Sequence, residues 1–453
     1  MMSVREIYKG RVEGVLLFMI FGLSMYTTAM SVSFLYGLKG FIPFFQFFKE
    51  ILVLSVLVLN IVNLKYRPRL HLVDYLIFGF FAYTLIYALL PIGQQGFVDR
   101  LVAFKSTSFY ILVYFAGRFF DPKTIYINKY FSYVALLTIA AGAVLVVEVS
   151  MHVQLQIFTG YAEYCYYFFN IEPSGVYGLS TTFDSDSGLR RFASFFNNPL
   201  EHAAATLLAL SIVIALYNRD DNKFKPTLIG WLALGASLLS ITFALSRAPL
   251  IAYFLIIYVY ALATKKKYIT NTVHVAVGLL VVYLIYLFSQ YESSNHKDGL
   301  IAVLMNTVDF SDPSSVGHLV QWVEGIAAMI AHPLGLGLGS SGRVAGSLGE
   351  NVGGENQFII IGVQAGVIAL LLYLAIYVIF IRTSIKWFPK LGGKEKKICL
   401  AILLIKVGFF IPMLTSEVES SSYLSYMDWF LSGIFISMIM YPVKPQLQPT
   451  NDN

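Results

Sequence analysis

The chain has 453 residues, 57% of them hydrophobic and only 13% charged, with a net charge of +6 at neutral pH and a mean hydropathy of +0.69. A water-soluble domain of this length is not so apolar, so most of the chain is expected to face lipid or other helices. Two distant cysteines, Cys165 and Cys399, signal neither a disulfide framework nor a zinc site, and short basic tracts beside apolar runs fit juxtamembrane anchoring and no nucleic-acid partner.

The first apolar run, 13–36, is too long for a signal-peptide core and lacks a convincing cleavage site, so it is expected to persist as a first helix. Further runs follow at 42–64, 72–91, 101–117, 131–150, 199–217, 226–244, 248–264, 271–290, 356–381, 398–414 and 423–441. Each is close to the roughly 20 residues that a bilayer core needs. The expectation is one integral membrane unit over 1–453, an all-α polytopic membrane protein with about 12 transmembrane helices. With the N-terminus in the cytoplasm, 22 of the 32 Lys and Arg residues fall on that side, among them Lys265, Lys266, Lys267 and the cations from Arg382 to Lys397. The positive-inside rule then puts both termini in the cytoplasm.

Two segments on the other side are longer than a turn. The first, 151–198, is rich in Tyr, Phe and Ser, and Tyr161, Tyr164, Tyr166 and Tyr167 are candidates to offer ring faces to sugars. The second, 291–355, carries His296, His318, His332 and many glycines. Within it, Val316, Leu319, Val320, Val323, Ala327 and Ile330 recur at helical spacing, which predicts an amphipathic helix over about 315–331 near the outer membrane face. Pro333 and the run GLGLGSSG then favour a loop. No internal repeat stands out, which argues against a secondary transporter.

Arg190, Arg191, Arg247 and Arg343 break the positive-inside pattern. A single such arginine snorkels to headgroups as readily as it binds a ligand, but several together favour anion binding. The guanidinium fork matches phosphate oxygens bidentately, so arginines converging at the outer face suit a diphosphate on a lipid carrier. Lys49, Lys105 and Lys406 fall inside apolar runs, where a charge is costly and faces the bundle interior. Lys49 adjoins Glu50 and is a candidate ion pair, Lys105 is a candidate extension of the arginine set, and Lys406 reads equally well as a structural tie. Candidate general bases are His318, Glu324, His332, Glu350, Glu355, Glu201 and His202, with Glu355 best placed at the entrance of the run that starts at Asn356.

Three segments, in this order, resemble the O-antigen ligase and polymerase family of bacterial membrane glycosyltransferases: RFASFFNNPLEHAAATL at Arg191–Leu207, TFALSRAPLIA at Thr242–Ala252, and HLVQWVEGIAAMIAHPLGLGLGSS running on to GENQFIIIGVQAGVIALLLYL. Together they cover roughly 190–375, and the other spans match in layout only. The resemblance implies a membrane-embedded glycosyltransferase of the C type, acting outside the cytoplasm on glycans linked to undecaprenyl diphosphate. It implies no nucleotide sugar, no obligatory metal and no other cofactor.

On this resemblance Arg191 and Arg247 match the family's diphosphate-holding arginines, with Lys105 and Arg343 as further candidates, and Asn198 shapes the loop at a helix entrance. His318 stands four residues before Trp322, where the family often has an arginine; Glu355-Asn356 replaces the His-Asn usual in ligases. The favoured expectation is a polymerase of lipid-linked repeat units in the cytoplasmic membrane, with Glu355 or His318 as base. It would work beside a flippase and a chain-length regulator of the same pathway. The alternatives are a ligase that transfers finished glycan to an acceptor such as lipid A core, and, from another class, a lipid-linked oligosaccharide flippase.

Overall fold

A computed structural model describes residues 2–64, 68–184, 189–291, 313–348 and 351–440. His296 and the candidate base Glu350 lie outside the described residues. Among the described residues there is no strand, and each of the twelve apolar runs is helical. In chain order they are α1 (Val12–Gly22 and Tyr26–Leu35, bent by 64°), α2 (Ile42–Val62), α3 (Leu72–Leu89), α4 (Phe97–Arg118) and α5 (Ile127–Met151). A short helix α6 (Tyr161–Phe169) precedes α7 (Pro199–Tyr217), α8 (Leu228–Phe243), α9 (Arg247–Ala263) and α10 (Lys267–Tyr291). Then come α11 (Pro313–Ala331), α12 (Gly342–Leu348), α13 (Gln357–Trp387), α14 (Gly393–Met413) and α15 (Ser422–Met440).

Six helices among the described residues are long and apolar enough to cross a membrane, seven if the two halves of α1 form one span. The chain is therefore an all-α membrane protein. Helices α7 and α15 are the most enclosed, and α4 packs along α15. Their approach rests on Gly117 and Gly433: a Cβ on either would lie 2.1 or 2.2 Å from a carbonyl oxygen of the facing helix. Small residues at such a crossing let backbones touch where lipid supplies no hydrophobic drive for association.

Helix α13 is not the single continuous rod expected from 356–381. At Gly366 (φ 81°, ψ 175°) the backbone leaves the helix, in a region that is essentially glycine-only. The glycine loop 333–341 docks into the break: Leu336 N donates to Val363 O (2.7 Å), Gly337 N to Gln364 O (3.0 Å), and Val367 N to Pro333 O (2.9 Å). Gln364 adds a side-chain clamp, accepting from Gly339 N (3.1 Å) and donating to Ser341 O (2.8 Å). The loop thus satisfies the polar groups that the interruption frees, the condition for irregular backbone inside a membrane protein.

Helix α11 covers the expected amphipathic segment and packs on α13, with Gly325 against Ile359 and Met329 against Gly362. Its apolar stripe of Val316, Leu319, Val320, Val323 and Ile330 points away from the protein and is exposed, as a lipid-facing stripe requires. Basic segments gather at one end of the bundle. There Lys394 Nζ bonds Pro122 O and Lys123 O, Lys396 Nζ bonds Asp220 O, and Arg118 pairs with Asp74.

Candidate functional site

The opposite end holds the segments that carry the candidate residues. Asn198 caps α7: its Oδ1 accepts from Glu201 N (2.9 Å), and Pro199 occupies the first helical position, where its missing N–H is no loss. The preceding loop 191–196 is held by buried side chains. Glu148 Oε2 accepts from Ser194 N (2.8 Å), Gln156 Nε2 donates to Ser194 O and Phe196 O, and Thr28 Oγ1 donates to Phe195 O. These bonds present Arg191 half-buried at the loop's start. Phe192 N donates to Phe243 O (3.3 Å), so this loop lies beside the end of α8, four residues before Arg247. Arg247 is exposed at the first position of α9, after Leu245 in a left-handed turn (φ 46°). The segments carrying Arg191 and Arg247, distant in sequence, are thereby set side by side.

Arg343, at the start of α12, forms a second centre. Its backbone N–H donates to Glu417 Oε2 (2.8 Å) in the turn between α14 and α15, and its guanidinium lies over the Phe169 ring at 5.3 Å. It is exposed, and its charge reaches Glu201, whose carboxylate also meets Ser421, as well as Tyr161, Tyr164 and Lys49. Burial pushes the Glu417 carboxyl above its usual range, and the Arg343 N–H and charge pull it back only in part. Lys105 closes on Glu50 Oε1 (2.7 Å), which Lys49 also approaches at 3.5 Å, so two ammonium groups share one buried carboxylate. The excess positive charge of this trio adds to that of Arg343.

His318 and Glu355 meet directly, His318 Nδ1 against Glu355 Oε2. Both stay open to solvent, their side chains 30% and 44% exposed. Asn356 caps α13, accepting from Phe358 N (2.9 Å) and Ile359 N (3.2 Å), and so fixes the residue before it at the helix mouth.

Other candidates find structural roles. His202 is 1% exposed, stacked on Phe196 with Nδ1 at Phe192 O, so it is shut off from any substrate. Tyr161 and Tyr164 belong to the buried core beneath α6 with Phe34 and Phe183, whereas Tyr166 and Tyr167 are exposed, the latter with Lys39 over its ring at 5.3 Å. Arg190 bonds His152 O and lies over Tyr177. His332 and Glu324 are exposed without a partner role in the centres above. Lys406 is a tie: it pairs with Asp428 at 2.6 Å, both fully buried. Sequence reading passed over Glu417, since a carboxylate in TSEVESSS carries no signal until its partners on other segments are known, and it paired Glu50 with the adjacent Lys49 but not with Lys105. Among the described residues no cluster of His, Cys, Asp and Glu is arranged to hold a metal ion.

Compared with protein-family models the chain matches none, and no curated protein is significantly similar to it.

Proposed function

We propose that this protein is a membrane-embedded glycosyltransferase with about twelve spans and a C-type fold, which polymerises undecaprenyl-diphosphate-linked repeat units at the outer face of the bacterial cytoplasmic membrane. The observation that carries the reading is the hydrogen bond between Phe192 and Phe243, which sets the Arg191 and Arg247 segments side by side at the end of the bundle away from the lysines. Two guanidinium groups there suit a diphosphate, and they matter most as negative charge grows on the departing group. The acceptor hydroxyl oxygen bonds to the anomeric carbon, the bond from that carbon to the diphosphate oxygen breaks, and configuration inverts in a single displacement. His318 and Glu355 take the hydroxyl proton as a pair. With Glu355 Oε2 set against Nδ1, Nε2 is the nitrogen that takes the proton, and the carboxylate stabilises the imidazolium that results. Arg343 and Lys105 extend the positive field toward the glycan, and Asn198 holds the entrance of α7.

The test is incubation of the purified protein in nanodiscs with lipid-linked repeat units and no nucleotide sugar, reading product length on a gel. A ladder is expected, and Arg247→Ala should abolish it while the variant stays folded in the membrane. Full chain length from that variant would overturn the role of Arg247. If cells lacking the protein accumulate long lipid-linked polymer instead of single repeats, the activity is that of a ligase. The break in α13 favours a second reading, a flippase, because interrupted helices are a mark of transporters. In that case deletion would trap single repeat units on the cytoplasmic leaflet.

A further inference from the structure

At the lysine-rich end, remote from the site above, the loop after α7 and the starts of α5 and α14 enclose a cleft of about 570 Å³. That lies within the roughly 300–1,000 Å³ of small-molecule sites. Arg219, Lys225, Lys394 and Lys397 line it together with Asp220 and Asp221. Both carboxylates are already engaged: Asp220 Oδ1 accepts from Gly393 N (2.8 Å), and Asp221 accepts from Lys223 N (3.0 Å) and pairs with Lys223 Nζ (3.4 Å). The cations are less occupied. Lys394 donates to the carbonyls of Pro122 and Lys123, and Lys397 to Asn128 Oδ1 (2.8 Å), so of three ammonium donors each, one and two remain. Arg219 and Lys225 are exposed. The cleft therefore has a surplus of positive charge and of donors.

Its place in the fold selects the kind of anion. Leu216 and Tyr217, in its wall, are the last turn of the apolar helix α7, so the cleft sits where that helix ends. Tyr217 bonds Thr227 Oγ1 (2.8 Å), the cap of α8, and the first turns of α8 turn Leu228, Trp231 and Leu232 outward, 74%, 61% and 51% exposed. A cationic cleft thus runs into an apolar wall. We propose that it binds the phosphodiester headgroup of an anionic phospholipid, with the acyl chains along Leu228, Trp231 and Leu232. Basic pockets between helices on the cytoplasmic side are suited to such headgroups. A free phosphate would use the donors but not the wall.

The test uses the purified full-length protein in neutral detergent with dioctanoyl phosphatidylglycerol, dioctanoyl phosphatidylcholine or sodium phosphate, reading bound lipid by native mass spectrometry and Tm by thermal unfolding. Phosphatidylglycerol should bind and raise Tm, and the other two should not. Loss of two surface cations in R219Q/K225Q should weaken phosphatidylglycerol roughly thirtyfold. R219K/K225R should restore it, and K265Q/K266Q, on another basic loop, should leave it intact. K397Q alone, as a second variant, should weaken binding about fivefold. Equal binding of phosphatidylcholine, equal protection by phosphate alone, or undiminished binding by R219Q/K225Q or K397Q would overturn the proposal.

Discussion

Glu419 shows how one side chain couples this bundle to pH. It sits in the turn between α14 and α15, 4% exposed, accepting from Trp429 Nε1 (2.8 Å). Burial raises its carboxyl from 4.5 to about 7, with Lys406, Tyr373 and Trp429 pulling it down and Asp428 pushing it up. A carboxyl with a folded pKa above its unfolded value favours the folded state below about 4.5, and that contribution is lost as pH climbs to about 7. The protein should therefore unfold at a higher temperature at pH 5 than at pH 8 in detergent. Glu419→Gln, neutral throughout, should flatten that difference; an unchanged slope in the variant would place the titration elsewhere. The same turn supplies Glu417 to Arg343, so two neighbouring carboxylates serve different ends, one packing helices and one holding α12.

Among the elements, α13 with its docked loop is the most constrained. A Cβ at Gly366 would lie 2.5 Å from Pro333 O and 2.6 Å from the Leu334 carbonyl carbon, in a conformation that costs a side-chain-bearing residue about 1–3 kcal/mol by itself. The other side of the loop is equally close, with Gly93 packed on Leu336 O and Gly337 on Ile92 O. Gly366→Ala is expected to expel the 333–341 loop, seen as new protease cleavage between His332 and Gly342 and a lower Tm. Protection equal to the parent would show that the break can close without the loop. The composition of GLGLGSSG predicts a loop, and a loop is found. Its insertion into a helix was not legible, because the bonds run from Leu336 to Val363 and from Pro333 to Val367, pairs that no local pattern links.

For the molecule as a whole, the division into a lysine-rich end and an end carrying Arg191, Arg247 and Arg343 predicts a fixed sidedness. Both native cysteines are buried, so single-cysteine labelling starts from a low background. In intact cells Tyr166→Cys, at an exposed position of α6, should react with a membrane-impermeant maleimide, and Lys390→Cys, exposed at the other end, only after permeabilisation. The reverse pattern would invert the orientation and put the arginine centres in the cytoplasm.

The sequence by itself determined the helical segments, since an apolar run of bilayer length satisfies its own backbone, and all twelve runs are helical, though 13–36 and 356–381 are each broken. It also marked the Asn198-Pro199 and Asn356 helix entrances, because capping is a local bond between near neighbours. Only the tertiary structure decided that His318 meets Glu355, that Arg343 answers Glu417 across 74 residues, that Lys105 turns to Glu50, and that Tyr161 and Tyr164 are buried while Tyr166 and Tyr167 are not. A charge finds its partner, and a ring its cover, through the packing of helices distant in the chain, and lipid-facing and protein-facing apolar residues look alike until that packing is known.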